Sequence, residues 1–167
     1  MGTLRVKRFF LLFAVAFCLL PGHARAFTKT ATFQASVTAL DACSLSATPM
    51  NFGAVTLPAS SDVDATSSIT VNCTSGTVWS LSLSSGASGN FATRHLLIGT
   101  EGFMYNLYTD AGHINIWGDG TNGSITVGGT GTGADQVNTV YGRIFSGQSP
   151  LPGAGTYSDT ITVTLTY

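Results

Sequence analysis

The sequence predicts an all-β fold of the immunoglobulin-like β-sandwich type, and three observations support this prediction. Short runs of residues alternate between apolar and polar side chains, which is the period of a strand with one buried face. Turn signals such as Ser85-Gly86 and Asn122-Gly123 separate these runs. The chain is rich in threonine, serine, glycine and valine, and no window of useful length has the period of a helix. Several short strands joined by such turns are typical of a sandwich.

Residues 1–26 have the features of a secretory signal peptide that is removed from the mature protein. Arg5, Lys7 and Arg8 supply a positive start, and residues 24–26 fit the small-x-small cleavage rule. The apolar run between them has 12 residues, whereas a helix that spans a bilayer needs about 20. We therefore expect export through the inner membrane and no membrane span after the signal is removed. A retained membrane anchor is the alternative.

Removal of residues 1–26 changes the charge of the chain. Residues 27–167 keep three basic residues, Lys29, Arg94 and Arg143, against eight acidic ones, so their net charge is −5. Nucleic acids and anionic membrane surfaces attract clustered lysine and arginine. The composition therefore argues against both kinds of partner.

The first predicted strand covers residues 30–39, where four apolar residues alternate with polar ones: Phe33, Ala35, Val37 and Ala39. At a new N-terminus such a strand has a free end and can pair with a sheet other than its own. Its backbone N–H and C=O groups and its apolar face need an acceptor groove. That groove lies either in the same molecule or in the next one, and the residues alone leave both possibilities open.

Further runs along the chain have the period of a strand, and in each of them apolar side chains share one face. These side chains are Ile69, Val71 and Cys73; Trp79, Leu81 and Leu83; Phe103, Tyr105 and Leu107; Val140 and Ile144; and Ile161, Val163, Leu165 and Tyr167. The last run, within residues 156–167, is the clearest because threonine occupies every second position from 160 to 166. The glycine-rich residues 128–133 predict a flexible loop or a hairpin tip.

Cys43 and Cys73 are the two cysteines that remain after signal removal. In an exported chain an even pair predicts a disulfide. The alternative is a zinc site, but zinc needs four ligands and no histidine lies at ligand spacing from either cysteine. A disulfide at these positions would stabilise the fold by about 3–4 kcal/mol in the chain-entropy description.

Candidate groups for catalysis are few. Glu101, Asp110 and Asp119 could be the paired carboxylates of a glycoside hydrolase, but solvated turn acids are the simpler interpretation. Aromatic residues could line a carbohydrate-binding shelf, although at strand spacing they more often pack in a core; these are Tyr105, Tyr108 and Trp117. No motif of a metal site, a nucleophile or a phosphate cradle occurs in the sequence. We therefore expect neither an enzyme nor a bound cofactor or metal.

A set of short motifs follows in order along residues 27–167. They are Asn51-Phe52-Gly53, Val71-Asn72-Cys73-Thr74, YNLYTD at 105–110, Trp117-Gly118-Asp119-Gly120, VYGRI at 140–144 and GTYSDT at 155–160. With these motifs, and with Cys43 some ten residues past Phe33, the chain resembles the spore coat protein U-like domain family. That family includes the subunits of archaic chaperone–usher pili, and the resemblance covers essentially all of residues 27–167.

The resemblance implies an incomplete immunoglobulin-like sandwich that lacks its last strand and is completed by a donated N-terminal strand. Residues 27–40 would form the donor extension, and residues 41–167 the pilin-like domain. The implied donor side chains are Phe33, Ala35, Val37 and Ala39. The implied last strand borders the acceptor groove and contacts a chaperone through Ile161, Val163, Leu165 and Tyr167. Implied partners are a periplasmic pilus chaperone, an outer-membrane usher and neighbouring pilus subunits in a homo- or heteropolymer.

The function that the resemblance implies is that of a structural subunit of a surface pilus or fimbria. Donor-strand exchange would assemble it by the chaperone–usher route, and the product would support adhesion and biofilm formation. Such a subunit would reach the periplasm and then the cell surface, or be secreted. One alternative is a self-complemented secreted or coat domain whose N-terminal strand folds into its own groove. Another is a secreted enzyme or lectin that uses the region between Asp110 and Asp119.

Overall fold

The structure is a computed structural model that describes residues 25–167. The predicted signal peptide over residues 1–26 therefore lies almost entirely outside the described residues. The chain divides into two units between Val37 and Thr38. No helix within residues 25–167 is long and apolar enough to cross a membrane.

The N-terminal extension differs from the sequence-based expectation. Residues 25–42 form no helix or strand, and Phe33 and Val37 are 92% and 95% exposed. The prediction of a strand over residues 30–39 is therefore wrong for a single chain. A lone strand has no partner for its backbone groups and is not stable in water.

The second unit is built from eight strands in two antiparallel sheets that face each other as a sandwich. The larger sheet has five strands in the order β1-β2-β7-β5-β4, and the smaller has three in the order β6-β3-β8. Apart from the strands, residues 25–167 contain one short 3₁₀ turn, Gly86–Ser88. The strands are β1 (Cys43–Ala47), β2 (Val63–Cys73), β3 (Val78–Leu83), β4 (Arg94–Ile98), β5 (Glu101–Tyr108), β6 (Val127–Thr130), β7 (Gln136–Ile144) and β8 (Val163–Thr166).

The core lies between the sheets and contains the apolar faces that the alternation predicted. Strands β2, β3, β5 and β7 each place every second side chain inward, so the predicted all-β sandwich is confirmed. The buried side chains include Ile69, Val71, Trp79, Leu81, Leu83, Phe103, Tyr105, Leu107, Val140 and Ile144.

The predicted disulfide between Cys43 and Cys73 is present. The two residues are direct partners in the register of β1 and β2, and Cys73 is buried. The bridge therefore fastens the beginning of β1, the end strand of the larger sheet, to its neighbour.

The glycine-rich stretch at residues 128–133 is in part a strand, so the prediction of a loop there is wrong for its first half. Strand β6 pairs with β3, and Gly129 lies opposite Trp79. A Cβ atom at position 129 would lie 2.5 Å from Cζ2 of that indole. Glycine is required here because the Trp79 ring packs directly against the β6 backbone.

Strand β8 is shorter than the predicted run over residues 156–167. Ser158 pairs with Leu97 of β4 in the larger sheet, whereas the Ser84 N–H donates to the Thr162 carbonyl (2.9 Å) just past the end of β3 in the smaller one. Residues 158–162 therefore cross from one sheet to the other before β8 begins. Strand β4 itself was not predicted, because Leu96, Leu97 and Ile98 are consecutive apolar residues that hide the alternation.

Candidate functional site

Among the end strands of the two sheets, β1 and β8 each leave one edge unpaired. Strand β1 ends the larger sheet and bonds only to β2, and β8 ends the smaller sheet and bonds only to β3, among residues 25–167. An unpaired edge presents a row of free N–H and C=O groups to which another strand can bond. The candidate site lies along these two edges.

The hydrogen-bond pattern of β8 shows which of its backbone groups face the open edge. The Thr162 carbonyl accepts from Ser84 N–H, and successive residues of an antiparallel strand point their backbone groups in opposite directions. The backbone groups of Thr164 and Thr166 therefore face β3, and those of Val163 and Leu165 face outward. The same two residues turn their side chains toward the core.

An apolar groove runs beside the β8 edge, between the segment that follows β1 and the segment that leads into β8. It holds a cavity of about 270 Å³ whose lining includes Met50, Phe52, Ile161 and Val163. A wider cavity of about 870 Å³ shares Met50 and Phe52 and is also lined by Val55, Leu57, Phe103 and Tyr157. We call the two cavities together the groove.

Gly142 of β7 makes room for the two side chains that form one wall of the groove, Met50 and Phe52. A Cβ atom at this position would overlap Met50 Sδ and lie 2.9 Å from Phe52 Cζ. Both side chains can lie against the larger sheet only because position 142 carries no side chain. The wall formed by Met50 and Phe52 therefore depends on a residue nearly a hundred positions away in the sequence.

The segment after β1 is held by short-range polar contacts. Thr48 N–H donates to the Ser68 carbonyl (2.9 Å), and Ser68 N–H donates to Thr48 Oγ1 (3.0 Å). Further on, Gly53 N–H donates to Asn51 Oδ1 (2.8 Å), and Gly53 has a φ of +73°. The motif Asn51-Phe52-Gly53 is thus a side-chain-capped turn that directs Phe52 into the groove.

Asp159 fixes the opposite wall of the groove, which the segment leading into β8 forms. Tyr105 Oη donates to Asp159 Oδ2 (2.7 Å), and Ala87 N–H donates to Oδ1 (2.9 Å). Burial raises the pKa of the Tyr105 phenol, and the hydrogen bond to the Asp159 carboxylate raises it further. The phenol therefore stays protonated and holds the segment before Ile161 against β5.

The structure brings together three of the four residues predicted for the last strand. Ile161 and Val163 line the smaller cavity, and Leu165 packs against the core. Tyr167 lies one residue beyond β8 and is 61% exposed. The predicted donor side chains are exposed on the extension: Phe33, Ala35, Val37 and Ala39. Their role as donors stays a prediction.

The acidic residues considered for catalysis hold separate loops. Asp110 Oδ2 accepts from Asn115 N–H (2.8 Å) and Asp119 Oδ1 accepts from Thr121 Oγ1 (2.7 Å). These bonds lower the pKa of Asp110 and of Asp119. Glu101 accepts from a backbone N–H and from a tyrosine hydroxyl in a third loop. Each carboxylate thus caps a loop of its own, as turn acids do.

The predicted alternative of an aromatic carbohydrate shelf is wrong. Tyr105, Tyr108 and Trp117 are all buried. Within residues 25–167, no group of three or more His, Cys, Asp or Glu side chains could hold a metal ion.

A buried polar centre was missed by the sequence analysis. Arg94 is fully buried, and its Nη1 donates to Asn106 Oδ1 (2.7 Å). Its Nη2 donates to the carbonyls of Ser84 (2.8 Å) and Trp117 (2.7 Å). The only sequence signal was Asn106, a polar residue in a strand with large side chains on both faces. Arg94 connects β4 of one sheet to the end of β3 in the other.

The profile of the Spore Coat Protein U domain family matches residues 29–164. A chain of the crystal structure of the CsuC-CsuE chaperone-tip adhesion subunit pre-assembly complex, from archaic chaperone-usher Csu pili of Acinetobacter baumannii, is similar with 21% identity and a TM-score of 0.57. The match covers 77% of this chain and 40% of that one, so this chain spans about two fifths of that length. No curated protein sequence matches significantly. At this identity the structural likeness indicates a shared fold alone.

Proposed function

The chain belongs to the Spore Coat Protein U domain family, and we propose that it is a structural subunit of a surface pilus or fimbria. In this proposal it is assembled by the chaperone–usher route through donor-strand exchange, and the fibre supports adhesion and biofilm formation. One observation carries the proposal: the apolar groove is bordered by the unpaired edge of β8.

The groove suits an added strand in both chemistry and geometry. Val163 and Leu165 offer outward backbone groups for a ladder, and their side chains border the apolar interior. A strand laid there would pair its own backbone and bury every second side chain, the mode called β-strand addition. The groove therefore fits a strand with alternating apolar residues better than it fits a small polar substrate.

The extension has the pattern that such a groove requires. Phe33 and Val37 are exposed by more than nine tenths, although both are large apolar residues. Their burial in the groove of another copy would contribute roughly 1.5–3 kcal/mol each. Ala35 and Ala39 would contribute less and would fit shallow parts of the groove. The extension of one subunit is thus the proposed occupant of the next subunit's groove.

The open groove also accounts for the proposed partners. An apolar groove beside a free edge promotes aggregation unless another strand covers it. A periplasmic chaperone would cover it first by lending a strand, and the usher in the outer membrane would then allow the next subunit to replace that strand. The protein would accordingly pass through the periplasm and end at the cell surface.

The test is to change Phe33 and Val37 together to Asp and to express the protein in a periplasm. A matched control changes Gln34 and Ser36 to Asp, which adds the same charge to the other face of the predicted strand. Size-exclusion chromatography and ladders that resist SDS report polymers. We expect ladders from the unchanged and control chains and none from the Phe33→Asp, Val37→Asp chain, because a carboxylate in an apolar groove is strongly unfavourable.

Three results would contradict the proposal. Ladders that persist in the Phe33→Asp, Val37→Asp chain would exclude the extension as the joining strand. Equal loss in the control would show that charge alone, rather than the apolar face, prevents assembly. A compact monomer from the unchanged chain, produced without a chaperone, would favour the self-complemented secreted or coat domain.

A further inference from the structure

A cluster of polar side chains attaches the segment immediately before β1 to the rest of the domain, residues 43–167, which we call the body. Asp41 Oδ1 accepts a hydrogen bond from Thr77 Oγ1 (2.9 Å) and lies 3.5 Å from Thr74 Oγ1. The two threonine hydroxyls are 2.7 Å apart. We call Asp41, Thr74 and Thr77 the clamp.

Backbone groups of the same segment take part in this attachment. Ala42 N–H donates to Thr74 Oγ1 (3.2 Å), and Thr74 N–H donates to the Ala42 carbonyl (2.9 Å). The disulfide between Cys43 and Cys73 follows directly. The chain is therefore held at residues 41, 42 and 43 in succession, on both its backbone and its side chains.

The turn between β2 and β3, which carries Thr77, is itself held by hydrogen bonds. Thr77 is 6% exposed although it is polar, and its carbonyl accepts from Gly131 N–H (2.7 Å). Gly76 N–H donates in turn to the Gly131 carbonyl (2.9 Å). A buried hydroxyl needs its hydrogen bonds, and Asp41 supplies the charged acceptor that satisfies Thr77.

The residues that precede the clamp contrast with it. Residues 38–40 have no regular secondary structure and are exposed, Leu40 by 80%. If the donor strand ends at Ala39, one residue separates it from Asp41. A tether of this length leaves few orientations to a strand that is docked in another copy, provided that its near end does not move.

We propose that the clamp fixes the point at which the extension leaves the body and thereby sets the orientation of one subunit relative to the next. The proposal rests on the proposed function, because the occupant of the groove is the extension of a second copy. Asp41 acts as a positioning residue: it is not among the residues that line the groove, and it holds the segment from which the tether begins.

The experiment compares Asp41→Ala with the matched control Asp135→Ala. Asp135 is also an exposed acid, and its Oδ1 accepts from Asn72 Nδ2 (2.8 Å) in the same part of the body, but it makes no bond to residues 38–42. Hydrogen exchange of the Ala42 amide tests the clamp in the unassembled protein. Electron microscopy of fibres measures the spread of angles between successive subunits.

We expect Asp41→Ala to speed exchange of the Ala42 amide about fivefold, the factor that corresponds to one lost hydrogen bond. Its fibres should form in normal yield but with a broader spread of angles, whereas Asp135→Ala should change neither quantity. Thr77→Val, which removes the hydroxyl at similar volume, should reproduce both effects of Asp41→Ala.

Unchanged exchange at Ala42 in Asp41→Ala and Thr77→Val would overturn the clamp itself. Faster exchange of the Ala42 amide with an unchanged spread of angles between subunits would show that the clamp stabilises its segment only locally. That result would overturn its role in orientation. Absence of fibres from the unchanged chain would overturn the proposed function, and the orientation proposal with it. The exchange measurement would still decide whether Asp41 holds the segment.

Discussion

At the scale of single residues, Arg94 joins the two sheets through buried hydrogen bonds. No carboxylate within residues 25–167 forms an ion pair with its buried guanidinium, and burial lowers its pKa because the charged form loses its hydration. Carbonyl and amide oxygens replace that hydration, and the Phe91 ring lies 5.4 Å from the guanidinium carbon. The charge is stabilised by dipoles and a ring face, which act over short distances only.

We predict that Arg94→Met lowers the free energy of unfolding by about 3 kcal/mol or more, because buried acceptors on Ser84, Asn106 and Trp117 lose their donor. Arg143→Met is the control, since Arg143 forms a partly exposed pair with Asp64. Such pairs contribute about 0.2–1 kcal/mol. Urea unfolding of both variants measures the difference. An equal loss of unfolding free energy in the two variants would show that the Arg94 network contributes no more than an exposed ion pair.

At the scale of elements, β8 pairs with β3 along one edge, and the proposed function assigns its other edge to a partner strand. Thr164 and Thr166 direct their backbone groups to β3, and Val163 and Leu165 direct theirs outward. If the proposed function holds, fold stability and strand addition use the backbone groups of different residues of β8. Substitution by proline can separate the two, because proline removes a backbone N–H.

We predict that Val163→Pro folds but forms no ladders that resist SDS, since it removes an outward N–H and keeps the bonds to β3. Thr164→Pro should instead lower the free energy of unfolding by about 1–3 kcal/mol, because it removes a bond of the β3–β8 ladder. Urea unfolding and gel ladders are read on both chains. Normal ladders from Val163→Pro would contradict the assignment of this edge as the acceptor.

At the scale of the whole molecule, charge sets the response to acid. Ser146 donates from its backbone N–H and its hydroxyl to Asp62 and lowers the pKa of that carboxyl. Arg143 donates to both oxygens of Asp64 (2.7 and 2.8 Å) and lowers the pKa of that carboxyl in the same way. These bonds join the beginning of β2 to the end of β7. Protonation of the Asp62 and Asp64 carboxylates therefore weakens the connection between two strands of the larger sheet.

We predict that the protein loses stability as the pH falls below about 4. A carboxyl whose folded-state pKa lies below its ordinary value of 3.8 contributes stability above that value and loses it as the pH falls through the folded-state pKa. Urea unfolding at a series of pH values measures this loss. Arg143→Met should lose less between pH 4 and pH 2 than the unchanged chain, because its Asp64 titrates closer to the ordinary value. An identical pH profile for the two would contradict the prediction.

Half of the groove could be read from the sequence. Alternation with threonine predicted that Ile161 and Val163 share one face of a strand, a local pattern that holds whatever the strand packs against. Their place beside a groove was implied by the family resemblance. The facing wall was not predicted, because Met50, Phe52 and Leu57 lie in an irregular segment without a period. Their position depends on the capped turn at Gly53 and on the absence of a side chain at Gly142.

Three properties followed from the sequence alone: the inward-facing side chains of β2, β3, β5 and β7, the all-β fold class, and Cys43 and Cys73 as the available pair. These are local or compositional properties, since alternation places every second side chain on one face without reference to a partner strand. Three other properties became visible in the folded domain: Gly129 lies in a strand against Trp79, Arg94 is buried, and Asp41 is held by Thr77. These depend on contacts between distant residues, which form only when the two sheets close around one core.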